Sequence, residues 1–125
     1  MSTISKKRRL AGWILTGFIG FAMSASAAGK LSGAQPMVEN FAKMHLEGYL
    51  RPIAILELLC ASLFVIPKTQ SLGVLLVTGY FGGAITAHLA GASPGEIVPA
   101  IVLGAVAWTA NYLKNPLMFE SLTRA

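Results

Sequence analysis

Glu57 stands in the run Leu56-Glu57-Leu58-Leu59, and no other charged residue occurs between Arg51 and Lys68. A carboxylate among so many apolar side chains is expensive to keep ionised. It has to face a protein interior, take a partner or hold a proton, and such groups often mark ligand sites and proton relays. His88, in the next apolar run, is the second group able to exchange a proton or accept a hydrogen bond. If the two runs are neighbouring helices, Glu57 lies roughly 9 Å and His88 roughly 5 Å below the same end. They meet if both faces turn inward. Tyr80 and Thr86 in the same run as His88 add hydroxyls to a candidate pocket, as does Thr78. Carboxylate, imidazole and phenol together would hydrogen-bond a small polar head or pass it a proton. Packing in a core or at an interface accounts for Tyr80 and His88 equally simply.

Other chemistries find no support. There is no Ser/His/Asp arrangement and no phosphate loop. Two histidines 43 residues apart give no basis for a zinc or haem site, so no metal is expected. The single Cys60 rules out an intrachain disulfide and a CxxC pair. Of the ten cations behind the net charge of +5, four form the block Lys6-Lys7-Arg8-Arg9 ahead of an apolar stretch. That block is a topology signal and a contact for anionic headgroups. Nucleic-acid binding is excluded, because basic and aromatic residues do not interleave as stacking and phosphate contacts require.

The elements that must hold these residues are membrane helices. Of 125 residues 54% are hydrophobic and 12% charged, against roughly 25% charged in soluble domains. Spans are predicted at about 10–28, 50–66, 71–91 and 97–113, each near the length needed to cross a bilayer. From Lys68 to Glu96 there are 27 residues without Asp, Glu, Lys or Arg. Pro52 and Pro99 fall in first turns, where a missing N–H costs least. The turns at 67–70 and 92–95 are too short to separate consecutive helices. The expected fold is therefore all-α: a polytopic membrane protein built as an antiparallel four-helix transmembrane bundle. Residues 1–9 form a basic N-terminus, 10–115 the transmembrane domain and 116–125 a tail. Seven cations against three place both termini in the cytoplasm, with the bundle in the cytoplasmic (inner) membrane. Ala25-Ser26-Ala27 after the first apolar run also fits a signal-peptide cleavage site; Gly12, Gly17, Gly20 and Ser24 give the run a packing face if it stays.

Two further features concern packing. In the third span Gly79, Gly83, Ala87 and Gly91 recur every fourth residue, a ridge on which a second helix can sit closely. In the first outer loop Val38, Phe41, Met44 or His45, and Tyr49 recur at helical spacing, which predicts a short amphipathic helix capping the bundle or closing over a site. Trp108, Asn111 and Tyr112 suit interfacial anchoring, with Asn111 able to bond across helices.

The order Pro52-Ile-Ala-Ile-Leu-Glu57-Leu-Leu, Ile66-Pro67-Lys68, and Thr78-Gly-Tyr-Phe-Gly-Gly-Ala-Ile-Thr-Ala-His88, preceded by Met37-Val-Glu-Asn-Phe-Ala-Lys, resembles the DoxX-like family of small four-helix membrane proteins. The similarity covers about residues 10–115. It implies the fold more strongly than an activity, since relatives include a membrane subunit linked to sulfur and quinone oxidation, partners of oxidoreductases and a receptor-assembly chaperone. Cysteines used by some members for thiol chemistry are absent here apart from Cys60.

Two functions stand side by side. One is an accessory membrane subunit of a quinone-linked redox system, with a small-molecule pocket near Glu57, Tyr80 and His88 and no catalysis of its own. The other is a noncatalytic packing or assembly protein whose glycine ridge binds another membrane helix, of a partner or of a second copy. A transporter component is a third reading, weakened by the narrow path that four helices leave. The surrounding partner in every case is the lipid bilayer.

Overall fold

A computed structural model describes residues 5–91, 95 and 97–123. Helix α1 (Lys6–Leu31) begins at Ser5, whose hydroxyl accepts from the Arg8 amide at 3.1 Å. The helix is longer than the apolar run at both ends. Lys and Arg are good helix formers, and the Ser5 cap satisfies an amide that would otherwise be orphaned. It stops at Ser32 and Gly33, the latter at φ 71°, a left-handed conformation that costs glycine nothing. Next comes α2 (Gln35–Lys43), with Pro36 in its first turn, then His45 at φ 58° and a 3-10 turn over Glu47–Tyr49.

Helix α3 (Leu50–Val65) runs into a tight turn at Pro67–Thr69, and α4 (Gln70–Ala90) returns. Helices α5 (Ile97–Lys114) and α6 (Pro116–Thr123) complete the chain. In the turn expected at 92–95, Ala92, Ser93 and Pro94 lie outside the described residues. The tail, expected only as a cytoplasmic extension, carries α6. Pro116 opens that helix rather than merely ending the one before it, as proline at a first helical position does.

Four of the helices are long and apolar enough to cross a membrane. Each of α1 and α4 packs against both α3 and α5, so the spans form a closed ring in the order α1, α3, α4, α5. The protein is an all-α, four-helix membrane bundle. Ile19 and Met23 of α1, Phe64 of α3, Val74 and Val77 of α4, and Ala107 and Ala110 of α5 fill its axis. Phe21, Ile14 and Ile55 point outward, at 75%, 62% and 61% exposure, as side chains in lipid should.

Small residues set the close approaches, though not where the four-residue repeat of α4 suggests. A Cβ on Gly73 would fall on the Phe64 backbone, and one on Gly12 would strike the Lys114 stem and the Ala110 carbonyl. Gly20 lies beneath Val65. By contrast, a Cβ on Gly79 or Gly83 meets no atom within 4 Å among the described residues. Gly73, nearest the tight α3–α4 turn, brings those two backbones together, and the ridge farther along α4 stays open at Gly79 and Gly83.

Candidate functional site

Glu57 is 3% exposed and faces the bundle interior. Its partner is Lys30 in the last turn of α1, whose Nζ donates to Glu57 Oε1 at 2.7 Å. The same ammonium donates to Ser26 Oγ at 2.6 Å and reaches Tyr80 Oη at 3.4 Å. Three helices thus meet on one buried cation, and its three N–H donors are matched to three oxygens. Ser26 and Lys30 sit four residues apart and so share a face of α1. In water this pair would contribute little; away from water each charge depends on the other.

The pair borders a cavity of about 390 Å³. Ser26, Lys30, Glu57, Tyr80 and His88 supply its polar lining. Met23, Ile53, Leu56, Phe81 and Leu103 supply apolar walls from four spans, and Phe41 and Met44 of the α2 segment close one end. Of the four positions expected on one apolar face, Phe41 and Met44 are buried while Val38 and Tyr49 are exposed, because the helix ends at Lys43 and the face does not continue to Tyr49. Gly91, the last member of the ridge, is covered by Met44 and the Lys43 backbone. Gly79, Gly83 and Ala87 line the cavity wall.

Glu57, Tyr80 and His88 therefore share one cavity, but no hydrogen bond joins Glu57 to His88 among the described residues. The carboxylate is engaged instead by Lys30. Thr86 is exposed, donates back to the Gly82 carbonyl at 3.1 Å and is not among the lining residues. Thr78 accepts from Trp108 Nε1 at 2.7 Å, tying α4 to α5. Cys60 is buried with its thiol toward the Leu76 carbonyl at 3.8 Å. Among the described residues no group of three or more His, Cys, Asp or Glu could hold a metal ion.

Lys30 and Ser26 are the members that sequence reasoning missed. Lys30 closes an apolar run and so reads as the first cation of a loop; Ser26 reads as part of a cleavage motif. One signal was available: an intramembrane carboxylate needs a cation at similar depth, and Lys30 is the nearest to Glu57's end of the bundle apart from Lys43 and Arg51.

Neither the curated proteins nor the solved structures searched gave a match. A family model described as the DoxX-like family matches residues 14–110, a stretch that holds α3 and α4, most of α1 and α5, the Lys30 and Glu57 pair and the cavity wall. With more than half its length covered by that match, the chain belongs to the DoxX-like family.

Proposed function

We propose that this protein is an accessory membrane subunit of a redox system and that its cavity holds a small lipid-soluble molecule of the quinone class. The observation that carries the reading is a cavity of about 390 Å³ inside the bundle, with apolar walls and one polar end built from a buried ion pair and a phenol. That size falls near the lower end of ordinary ligand pockets, roughly 300–1,000 Å³. Apolar walls with a few convergent polar groups are the usual design of such sites.

The donor set fits a quinone head. Tyr80 accepts from Lys30 and brings a phenol O–H to the polar end of the cavity, and His88 lines the same wall. A bound quinone would supply reversible electron and proton transfer; the chain's own residues would orient the ring and keep water from it. Orientation with both termini in the cytoplasm of an inner-membrane protein is part of the proposal. It rests on the cation split, which becomes more lopsided once Lys30 is counted as interior.

The assembly reading keeps one specific support, the open face at Gly79, Gly82 and Gly83, where an added Cβ meets nothing within 4 Å among the described residues. Purification in mild detergent followed by extraction and mass spectrometry of bound small molecules separates the two. Wild type should retain a lipid-soluble quinone or quinol that the Lys30→Met/Glu57→Leu double variant loses while staying folded. Recovery of a stoichiometric partner protein with no small molecule would favour assembly instead.

A further inference from the structure

The cavity does not stop at the bundle core. Gly79 and Gly83 line it, yet they lie roughly 120–180° round α4 from Val74, Val77 and Phe81, which are buried in the core. Both glycines are exposed. Across from them on α3, Leu56 lines the same cavity and is 48% exposed. Near their shared turn α3 and α4 touch backbone to backbone at Gly73 and Phe64; at the level of Leu56 and Gly83 they flank an open cleft. That level is well inside the spans, since Gly79 is about 14 Å along α4 from Gln70. The cleft opens where the surrounding medium is hydrocarbon.

Resting on the pocket reading above, we propose that this cleft is a lateral portal from the bilayer, and that the ligand is a single-tailed amphiphile whose uncharged, hydrogen-bonding head seats beside Glu57 and Tyr80 while its apolar tail lies across Gly79 and Gly83. The head is uncharged because Lys30 and Glu57 already cancel one another. A further net charge beside them would be desolvated without a counter-ion. It is a hydrogen-bonding head because Lys30, Glu57 and Tyr80 gather donors and acceptors at one end of an otherwise apolar cavity. A tail is required because the walls beyond the polar end are apolar out to the lipid, and a glycine surface lets a chain lie against the helix backbone. A cavity of about 390 Å³ suits a single-tailed molecule; a phospholipid, with two tails and a charged head, fits neither the volume nor the neutral polar end.

The test uses the full chain in lipid nanodiscs with two probes, decylubiquinone and its tailless counterpart ubiquinone-0. Dissociation constants are measured for wild type, Gly83→Leu, Leu56→Trp and Tyr80→Phe, with thermal unfolding of each as the folding control. Wild type should bind the tailed probe at least about tenfold more tightly than the tailless one, and Gly83→Leu should remove that margin without lowering the unfolding temperature. Leu56→Trp, on the opposite lip, should act in the same direction and keeps the test open if Gly83→Leu unfolds. Tyr80→Phe should weaken both probes alike. Equal binding of the two probes by wild type, unchanged by either lip variant, overturns the portal and leaves the pocket standing. Binding of neither probe by wild type overturns the pocket reading and the portal with it.

Discussion

Lys30 and Lys114 are each 8% exposed and each stand in the last turn of a span, at opposite ends of the bundle. Their surroundings differ. Lys30, at the α2 end, is held by a carboxylate and two hydroxyls beside a cavity. Lys114, at the α6 end, has no hydrogen-bond acceptor on Nζ among the described residues; the ammonium lies 4.0 Å from the Trp13 ring centroid and 5.4 Å from that of Phe64. Around it the packing is continuous: Gly12 receives the Lys114 stem, Trp108 and Tyr112 stack edge-on to Phe119, and Arg8 covers Tyr112. One end spends its buried charge on oriented polar groups facing open space. The other uses a cation as packing material, favoured by the negative end of the helix and by aromatic faces.

The comparison breaks first at Lys30. Lys30→Met leaves Glu57 buried without its counter-charge, so the variant should lose about 3–5 kcal/mol, the usual cost of removing one partner from a buried pair. Lys30→Met/Glu57→Leu should recover most of it, because an apolar pair of similar volume carries no desolvation penalty. Chemical unfolding in one detergent, followed by circular dichroism, gives both values. If the single variant were as stable as the double, the pair would not be the organising contact of the α2 end.

The glycines sharpen the same contrast between closed and open regions. Gly73→Ala drives a methyl into the Phe64 backbone, which cannot move aside as a side chain can; overpacking of this kind costs about 1–3 kcal/mol. Gly83→Ala places the same methyl in open space and gains up to about 1 kcal/mol of helix propensity. Opposite signs in the same unfolding assay are the expected outcome. A loss at Gly83 would mean that something covers the ridge.

These residues also mark how much was legible beforehand. The four spans were, because four apolar runs of about 17–21 residues, one of them inside 27 consecutive residues without a charge, have few other destinations. Glu57 stood out for the converse reason, as one carboxylate among leucines. The ridge at Gly79 and Gly83 was legible as a spacing but not as a direction. A four-residue repeat fixes a face of the helix, and which neighbour meets that face depends on how α4 is rotated in the bundle. Lys30 was not legible from its own segment, since a lysine at the end of an apolar run can reach outward or fold inward. Only the depth of Glu57 on another helix decides between them. Asn111, read as an interfacial anchor able to bond across helices, is fully buried and does the second: its Nδ2 donates to Met118 Sδ at 2.9 Å, a contact that exists because α6 folds back onto α5.

A smaller effect is expected where a polar tie joins otherwise apolar helices. Trp108→Phe keeps most of the ring packing on Phe119 and removes the 2.7 Å hydrogen bond to Thr78. Near a part-exposed indole the loss should be about 1 kcal/mol, the net value of a typical hydrogen bond. Thr78→Val should cost a similar amount. The double variant should cost little more than either single, because both remove one interaction. Full additivity would show that the two side chains act separately.

The smallest change is predicted at Lys114, and it returns to the opening contrast. Methionine keeps the unbranched stem that fits over Gly12 and gives up the charge. The cation's attraction to an aromatic face, about 0.5–2 kcal/mol, offsets only part of the hydration an ammonium loses at a site where the residue is 8% exposed. Methionine gives up the attraction and the penalty together, so Lys114→Met should be no less stable than wild type, in contrast with Lys30→Met in the same assay. It should also leave the cavity at the other end untouched, and with it the affinity for any molecule bound there. A Lys114→Met variant as damaged as Lys30→Met would mean that this ammonium has an anionic partner, and the two ends of the bundle would then be built on the same principle.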